Sequence, residues 1–141
     1  MRTFREFLRQ GLVKKRKEDE SRSRNLIEGA KERKRIMEKY FPLNDETAVK
    51  IVEECYDIIR ELLEAKLSRE GYKSYNHEAV VSYLTILGFS KNDVIFLDRL
   101  REIRNGIKYY GKKIKLEYAK HVKDFLDKIY PKLKKICESS I

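Results

Sequence analysis

Residues 48–67 read Ala-Val-Lys-Ile-Val-Glu-Glu-Cys-Tyr-Asp-Ile-Ile-Arg-Glu-Leu-Leu-Glu-Ala-Lys-Leu, and this stretch decides the fold class. Ala48, Ile51, Val52, Cys55, Tyr56, Ile59, Leu62, Leu63 and Leu67 recur at three- and four-residue intervals, the spacing of one face of an α-helix. No other stripe in the chain is as regular, so this segment is expected to be the central helix. Asn44 or Asp45 would cap it, and Gly71 would stop it in the left-handed conformation.

Outward from this helix, each long segment again has helical period. Upstream, Leu26, Ile27, Ala30, Arg33, Met37 and Tyr40 carry a helix to Phe41-Pro42, where proline disfavours helical geometry in the residue before it. Phe4, Phe7, Leu8 and Leu12 suggest a short opening helix. Between the two, Lys14-Lys15-Arg16-Lys17 and Glu18-Asp19-Glu20 read as a flexible joint or a solvated helix face. Downstream, Tyr72–Tyr75 reads as a short connection and Asn76 as the cap of a helix with Ala79, Val80, Tyr83, Leu84 and Leu87 inward. Ser90 and Asp93 have capping-box spacing and open the next helix, with Val94, Leu97, Leu100, Ile103 and Ile107 inward. Ile114, Tyr118, Val122, Phe125, Leu126, Ile129, Leu133 and Ile136 mark a long last helix, which Pro131 should kink. No segment alternates with period two. The expectation is one all-α domain over residues 1–141, an up-and-down bundle of four to five helices with a short extra N-terminal helix. Residues 1–20 form that helix and the charged joint, and residues 22–139 the bundle.

Composition narrows the function. No stretch approaches the roughly 20 apolar residues of a membrane span, and the first residues have no continuous apolar signal region. A cytoplasmic protein with no membrane association is expected. Cys55 and Cys137 fall on apolar faces and have no CxxC partner, which argues for small core residues and against a structural metal. The net charge of +10 is uneven: residues 1–40 hold 14 Lys/Arg against 7 Asp/Glu, residues 41–100 hold 7 against 11, and residues 101–141 hold 12 against 5. Basic ends attract phosphate backbones, although they could also neutralise the acidic middle. Charged residues at 40%, with Gln10 the one glutamine, also fit a heat-adapted protein.

The segment Arg101-Glu102-Ile103-Arg104-Asn105-Gly106-Ile107-Lys108-Tyr109-Tyr110-Gly111 is where chemistry would sit. Leu100, Ile103, Ile107 and Tyr110 form the apolar stripe, and Arg104 falls about 40° from Leu100, at its border. An arginine there points at a neighbouring helix or a second subunit. It could tie a helix end to its neighbour, with Tyr110 in the core, or it could recognise a phosphate.

This Arg-Asn pair at a helix end resembles the signature of the HEPN superfamily, an Arg, commonly with Asn next, followed four to six residues later by His. Gly71-Tyr72-Lys73-Ser74-Tyr75-Asn76-His77-Glu78-Ala79 is similar to the Gly-x-x-x-x-x-His-Glu-Ala opening of the family's third bundle helix, and Gly88-Phe89-Ser90 to its exit. The resemblance covers about residues 22–139. It implies a homodimer in which the fourth helices approach each other, often a minimal nucleotidyltransferase as partner in a toxin-antitoxin-like pair, and, in the family's ribonucleases, metal-independent RNA cleavage by Arg and His of two subunits. Here the permitted spacings land on Tyr109, Tyr110 and Gly111. A tyrosine with an ordinary pKa of about 10 is a poor general base near neutrality. Five residues of helix also rotate by about 140°, taking Tyr109 off the face of Arg104 unless the helix unwinds at Gly106 or Gly111. The motif therefore reads as degenerate, with Arg104, Asn105, Tyr109 and Tyr110 as its remnants; Tyr109→His would restore the shortest family spacing.

The resulting expectation is an RNA- or nucleotide-binding protein using Arg101, Arg104, Lys108, Lys112 and Lys113, without a cofactor. Its alternatives are a non-catalytic partner of a nucleotidyltransferase, in which Tyr109 or Tyr110 is a contact or modification point, and an active ribonuclease. Tyr72, Tyr75, Tyr109 and Tyr110, beside Lys73, Lys108, Lys112 and Lys113, could stack on bases; alternatively two of the four are core. His77, in a first helical turn, more often packs its ring than moves a proton, and His121 reads as surface. Glu54, Asp57, Glu61 and Glu64 share one helical edge, the usual pattern of a wet face. No Gly-rich phosphate loop, His-Glu-x-x-His or nucleophile elbow is present.

Overall fold

The computed structural model describes residues 1–139. Its elements are α1 (Phe4–Arg9), β1 (Val13–Lys15), α2 (Glu20–Tyr40), α3 (Ala48–Arg69), β2 (Tyr72–Ser74), α4 (His77–Ile86), α5 (Lys91–Tyr110) and α6 (Leu116–Glu138). The chain is an all-α bundle with one small antiparallel ribbon. No described helix is long and apolar enough to cross a membrane.

Helix α3 is the central element: α2 and α6 pack along it most extensively, and α4, α5 and β2 complete its surroundings. Its burial exceeds the expected stripe, because Ile58 and Ala65 are also fully buried. A helix apolar on more than one face belongs inside a bundle, and each buried Leu or Ile contributes about 1.5–3 kcal/mol through removal from water. α6 buries Ala119, Val122, Phe125, Leu126, Ile129, Leu133 and Cys137 and runs continuously past Pro131.

The caps hold with two adjustments. Asn76 Oδ1 accepts from Ala79 N at 3.0 Å, and Ser90 Oγ accepts from Asp93 N at 3.2 Å. The Asp93 carboxylate instead takes Lys128 Nζ of α6 at 2.7 Å, so it clamps two helices. Asn44 is not the cap of α3. Its Oδ1 closes the preceding turn, accepting from Glu46 N at 2.9 Å and Thr47 N at 3.1 Å, and Thr47 holds the cap position without a side-chain bond.

The charged run after α1 is neither a helix face nor a loose joint. Val13, Lys14 and Lys15 pair with Ser74, Lys73 and Tyr72. The following residues are fixed by Arg16 N to Gly71 O at 2.8 Å and Asp19 N to Ser68 O at 2.9 Å. Gly71 permits this approach: at φ 82° a Cβ there would stand 2.8 Å from Arg16 O. Period two puts Val13 in the core and Lys14 outside. Thr3 and Glu6 form a reciprocal capping box for α1. Phe4 then lies 4.8 Å from the Tyr83 ring and 5.3 Å from that of Tyr72, docking α1 on the bundle.

Cys55 and Cys137 are core, as expected. Both are fully buried, and burial pushes each thiol up to about 12. A thiolate is the nucleophile, so at about pH 8 neither is expected to react with a thiol reagent until the chain unfolds. Labelling measured across a urea titration checks this: modification should follow the unfolding curve, and labelling of the native chain would contradict the packing.

Candidate functional site

Helix α5 runs unbroken through Gly106 to Tyr110, and Gly111, at φ 62°, ends it in the left-handed conformation. The rotation between Arg104 and Tyr109 is therefore not relieved by unwinding. Arg104 points at α3. Its Nη1 lies 3.0 Å from Glu53 Oε2 and its Nη2 3.5 Å from Asp57 Oδ2, with the side chain 20% exposed. Asp57 is shared further, with Arg60 at 3.7 Å and Arg33 at 4.0 Å. Arg104 Nε is buried without an acceptor, as is the Tyr56 hydroxyl on the same helix as Glu53 and Asp57. Burial raises the Tyr56 phenol to about 12, so it stays protonated.

The acidic edge of α3 is thus not a wet face. Glu54 is buried, with Arg33 Nη1 of α2 at 2.9 Å and Lys50 Nζ at 3.1 Å, and Glu61 takes Arg33 Nε at 2.7 Å. Burial alone would raise the Glu54 pKa; the bonds from Arg33 and Lys50 outweigh it and hold the carboxyl below its ordinary value. The usable signal was Arg33, an arginine inside the apolar stripe of α2. Such a residue requires acceptors on the facing helix.

The five residues expected to meet phosphate separate into two groups. Arg101 is spent on Asp98 at 3.0 Å and approaches Glu102 at 3.8 Å, and Arg104 is held as above. Lys108, Lys112 and Lys113 are exposed, and none forms an ion pair among the described residues. Asn105 is half-buried beside Arg104. Tyr110 is not core: it is 87% exposed, and Tyr109 is 67% exposed with Lys108 Nζ 5.4 Å from its ring centre. The buried part of the stripe ends one turn earlier, at the half-buried Ile107. The stem of Lys112 folds back over Gly106, where a Cβ would meet its Cδ at 3.2 Å. Of the four tyrosines, Tyr72 alone packs on the core, while Tyr75 is 53% exposed.

His77 begins α4 and is exposed; partial burial, then the charge of Arg60, with smaller contributions from Arg101 and Lys108, lowers its pKa against the opposing pull of Glu64. His121 is exposed on α6, as expected of a surface residue. No group of carboxylates, histidines and cysteines among the described residues could hold a metal.

Comparison with protein families, with curated proteins and with solved structures finds no match to this chain.

Proposed function

We propose that this protein is a HEPN-type helical bundle that binds single-stranded RNA or nucleotide phosphate at the end of α5, and that its ribonuclease motif is degenerate. The observation that carries this is the grouping of three unpaired lysines, Lys108, Lys112 and Lys113, with two exposed rings, Tyr109 and Tyr110, within six residues. Phosphates supply the counter-charge those lysines lack, and bases stack on exposed rings without regard to sequence. Arg101 and Arg104 position α5 instead of touching ligand, since a phosphate would have to displace carboxylates already at hydrogen-bond distance. No histidine stands at the HEPN spacing from Arg104, and the carboxylates beside it, Glu53 and Asp57, are engaged by its guanidinium, so little or no metal-independent cleavage of RNA is expected. A homodimer belongs to the same reading. Its support is the half-buried pair Ile103 and Ile107 leading to Tyr110; Arg104 no longer argues for a partner, because Glu53 and Asp57 supply its acceptors within the chain.

Anisotropy titration of a labelled single-stranded RNA across salt concentrations tests the proposal. The three lysines of α5 alone contribute roughly −2 to the slope of log affinity against log salt. Lys112→Gln with Lys113→Gln should flatten that slope by about 1.4. No binding at low salt would sink the RNA reading. It would favour the alternative in which Tyr109 and Tyr110, exposed at the helix end, meet a protein partner such as a nucleotidyltransferase.

A further inference from the structure

The ribbon of β1 and β2 carries a second basic and aromatic face. The register sets Lys14 directly opposite Lys73. Like charges facing each other across a strand pair destabilise it, so the pairing opposes folding stability and is not explained by it. Alternation along the strands adds Arg16 and Tyr75 to the same face. Tyr75 is 53% exposed and ringed by cations: Lys14 Nζ is 5.7 Å and Lys73 Nζ 5.9 Å from its centroid, and Arg16 Nη2 donates to its hydroxyl at 3.1 Å.

Among the described residues these cations far outnumber the carboxylates free to meet them. Lys14, Lys15, Arg16, Lys17 and Lys73 are exposed, and none has an ion pair among the described residues. The neighbouring carboxylates are occupied: Asp19 caps α2, Glu20 faces Arg69 at 4.0 Å, and Glu70 takes Lys66 at 2.9 Å. Glu18 alone is left for five cations.

We infer that the face formed by Lys14, Arg16, Lys73 and Tyr75 is a binding surface for single-stranded RNA, with Tyr75 stacking on a base and the three cations holding the flanking phosphates. The ring side chain decides between polyanions. A membrane-binding patch would add exposed Leu, Phe or Trp to its lysines, and this face has one tyrosine and no other exposed apolar group. An exposed ring framed by cations fits a strand that alternates bases with phosphates. The inference rests on the α5 reading for its ligand class only; its geometry is separate.

The test measures RNA affinity and thermal stability in the full chain for Lys73→Glu, Tyr75→Ala, Tyr75→Phe and the Lys112→Gln, Lys113→Gln pair. Lys73→Glu replaces a repulsive cross-strand pair by an attractive one, so it should raise the melting temperature while weakening RNA binding about tenfold. A purely structural ribbon would not separate the two readouts. Tyr75→Ala should weaken binding about tenfold, and Tyr75→Phe, which keeps the ring, should restore most of it. Unchanged affinity in Lys73→Glu and Tyr75→Ala overturns the ribbon site, and the α5 reading then stands or falls on its own lysine pair. Loss in the ribbon variants with no effect at Lys112 and Lys113 supports the ribbon and overturns the α5 reading. Binding to phosphatidylserine vesicles that equals binding to RNA and falls in parallel overturns the assignment to RNA.

Discussion

Lys66→Ala is expected to cost about 3–4 kcal/mol of stability, the largest effect of any single truncation of a charged residue considered for this fold. The Lys66 side chain is 1% exposed, so its four methylenes are packed and its ammonium is out of water. That ammonium pairs with Glu70 at 2.9 Å and donates to Ser139 O at 3.4 Å, just past the end of α6. Arg69 adds a bond from Nη1 to Cys137 O at 2.7 Å, so two cations from the end of α3 meet the carbonyls that close α6. The last carbonyls of a helix lack intrahelical donors and carry the negative end of its dipole, which gives these side chains their anchoring role. Truncation removes roughly 0.8 kcal/mol per buried methylene, opens a cavity and leaves the carbonyl without its donor. Lys66→Met keeps the stem and frees Glu70, which is 25% exposed, to be solvated, so its cost should stay under about 1.5 kcal/mol. Urea unfolding followed by far-UV circular dichroism separates the cases. Equal stability for wild type and Lys66→Ala would mean that α6 is not anchored there.

What the sequence disclosed followed its periodicity. The stripe of α3 and the stripe of α6 each repeat over five or more turns, long enough for 3.6-residue spacing to show; that of α3 was buried as read, and in that of α6 Val122, Phe125, Leu126, Ile129 and Leu133 were buried while Ile114, Tyr118 and Ile136 are half-buried. The ribbon was invisible for the opposite reason. Three residues per strand cannot display a period of two, and Lys14-Lys15 beside Tyr72-Lys73-Ser74 have no apolar alternation to display. Tyr110 was misplaced because a stripe in the sequence does not say how far the neighbouring helices extend. The acidic row of α3 was misread because i, i+3 and i+4 spacing fixes which residues share an edge, not whether another helix lies against it; Arg33 and Arg104 do. In the candidate site, the sequence gave the basic residues of one segment a single role, although their surroundings differ. Exposure divided them, leaving Lys108, Lys112 and Lys113 to solvent and Arg101 and Arg104 to carboxylates.

Arg104→Ala should cost about 2–3 kcal/mol and change RNA affinity less than about threefold, which distinguishes a positioning residue from a ligand contact. Glu53 and Asp57 are 25% and 15% exposed, so removing the guanidinium leaves two partly desolvated carboxylates facing each other's charge across one helical turn. Arg60 and Arg33 still face Asp57 at 3.7 and 4.0 Å, so the loss falls mainly on Glu53. A double-mutant cycle with Glu53→Gln should return a coupling of about 1–2 kcal/mol, because the two residues are in direct contact. The same geometry decides what Tyr109→His can achieve. The substitution creates the HEPN spacing in sequence, yet α5 stays helical between the two positions, so the imidazole would stand about 140° around the helix from a guanidinium already bound to α3. Within one chain it is expected to add no cleavage. Cleavage of RNA by Tyr109→His that disappears with Arg104→Ala would require the two residues to meet across a dimer. It would return Arg104 from a structural clamp to the reacting centre.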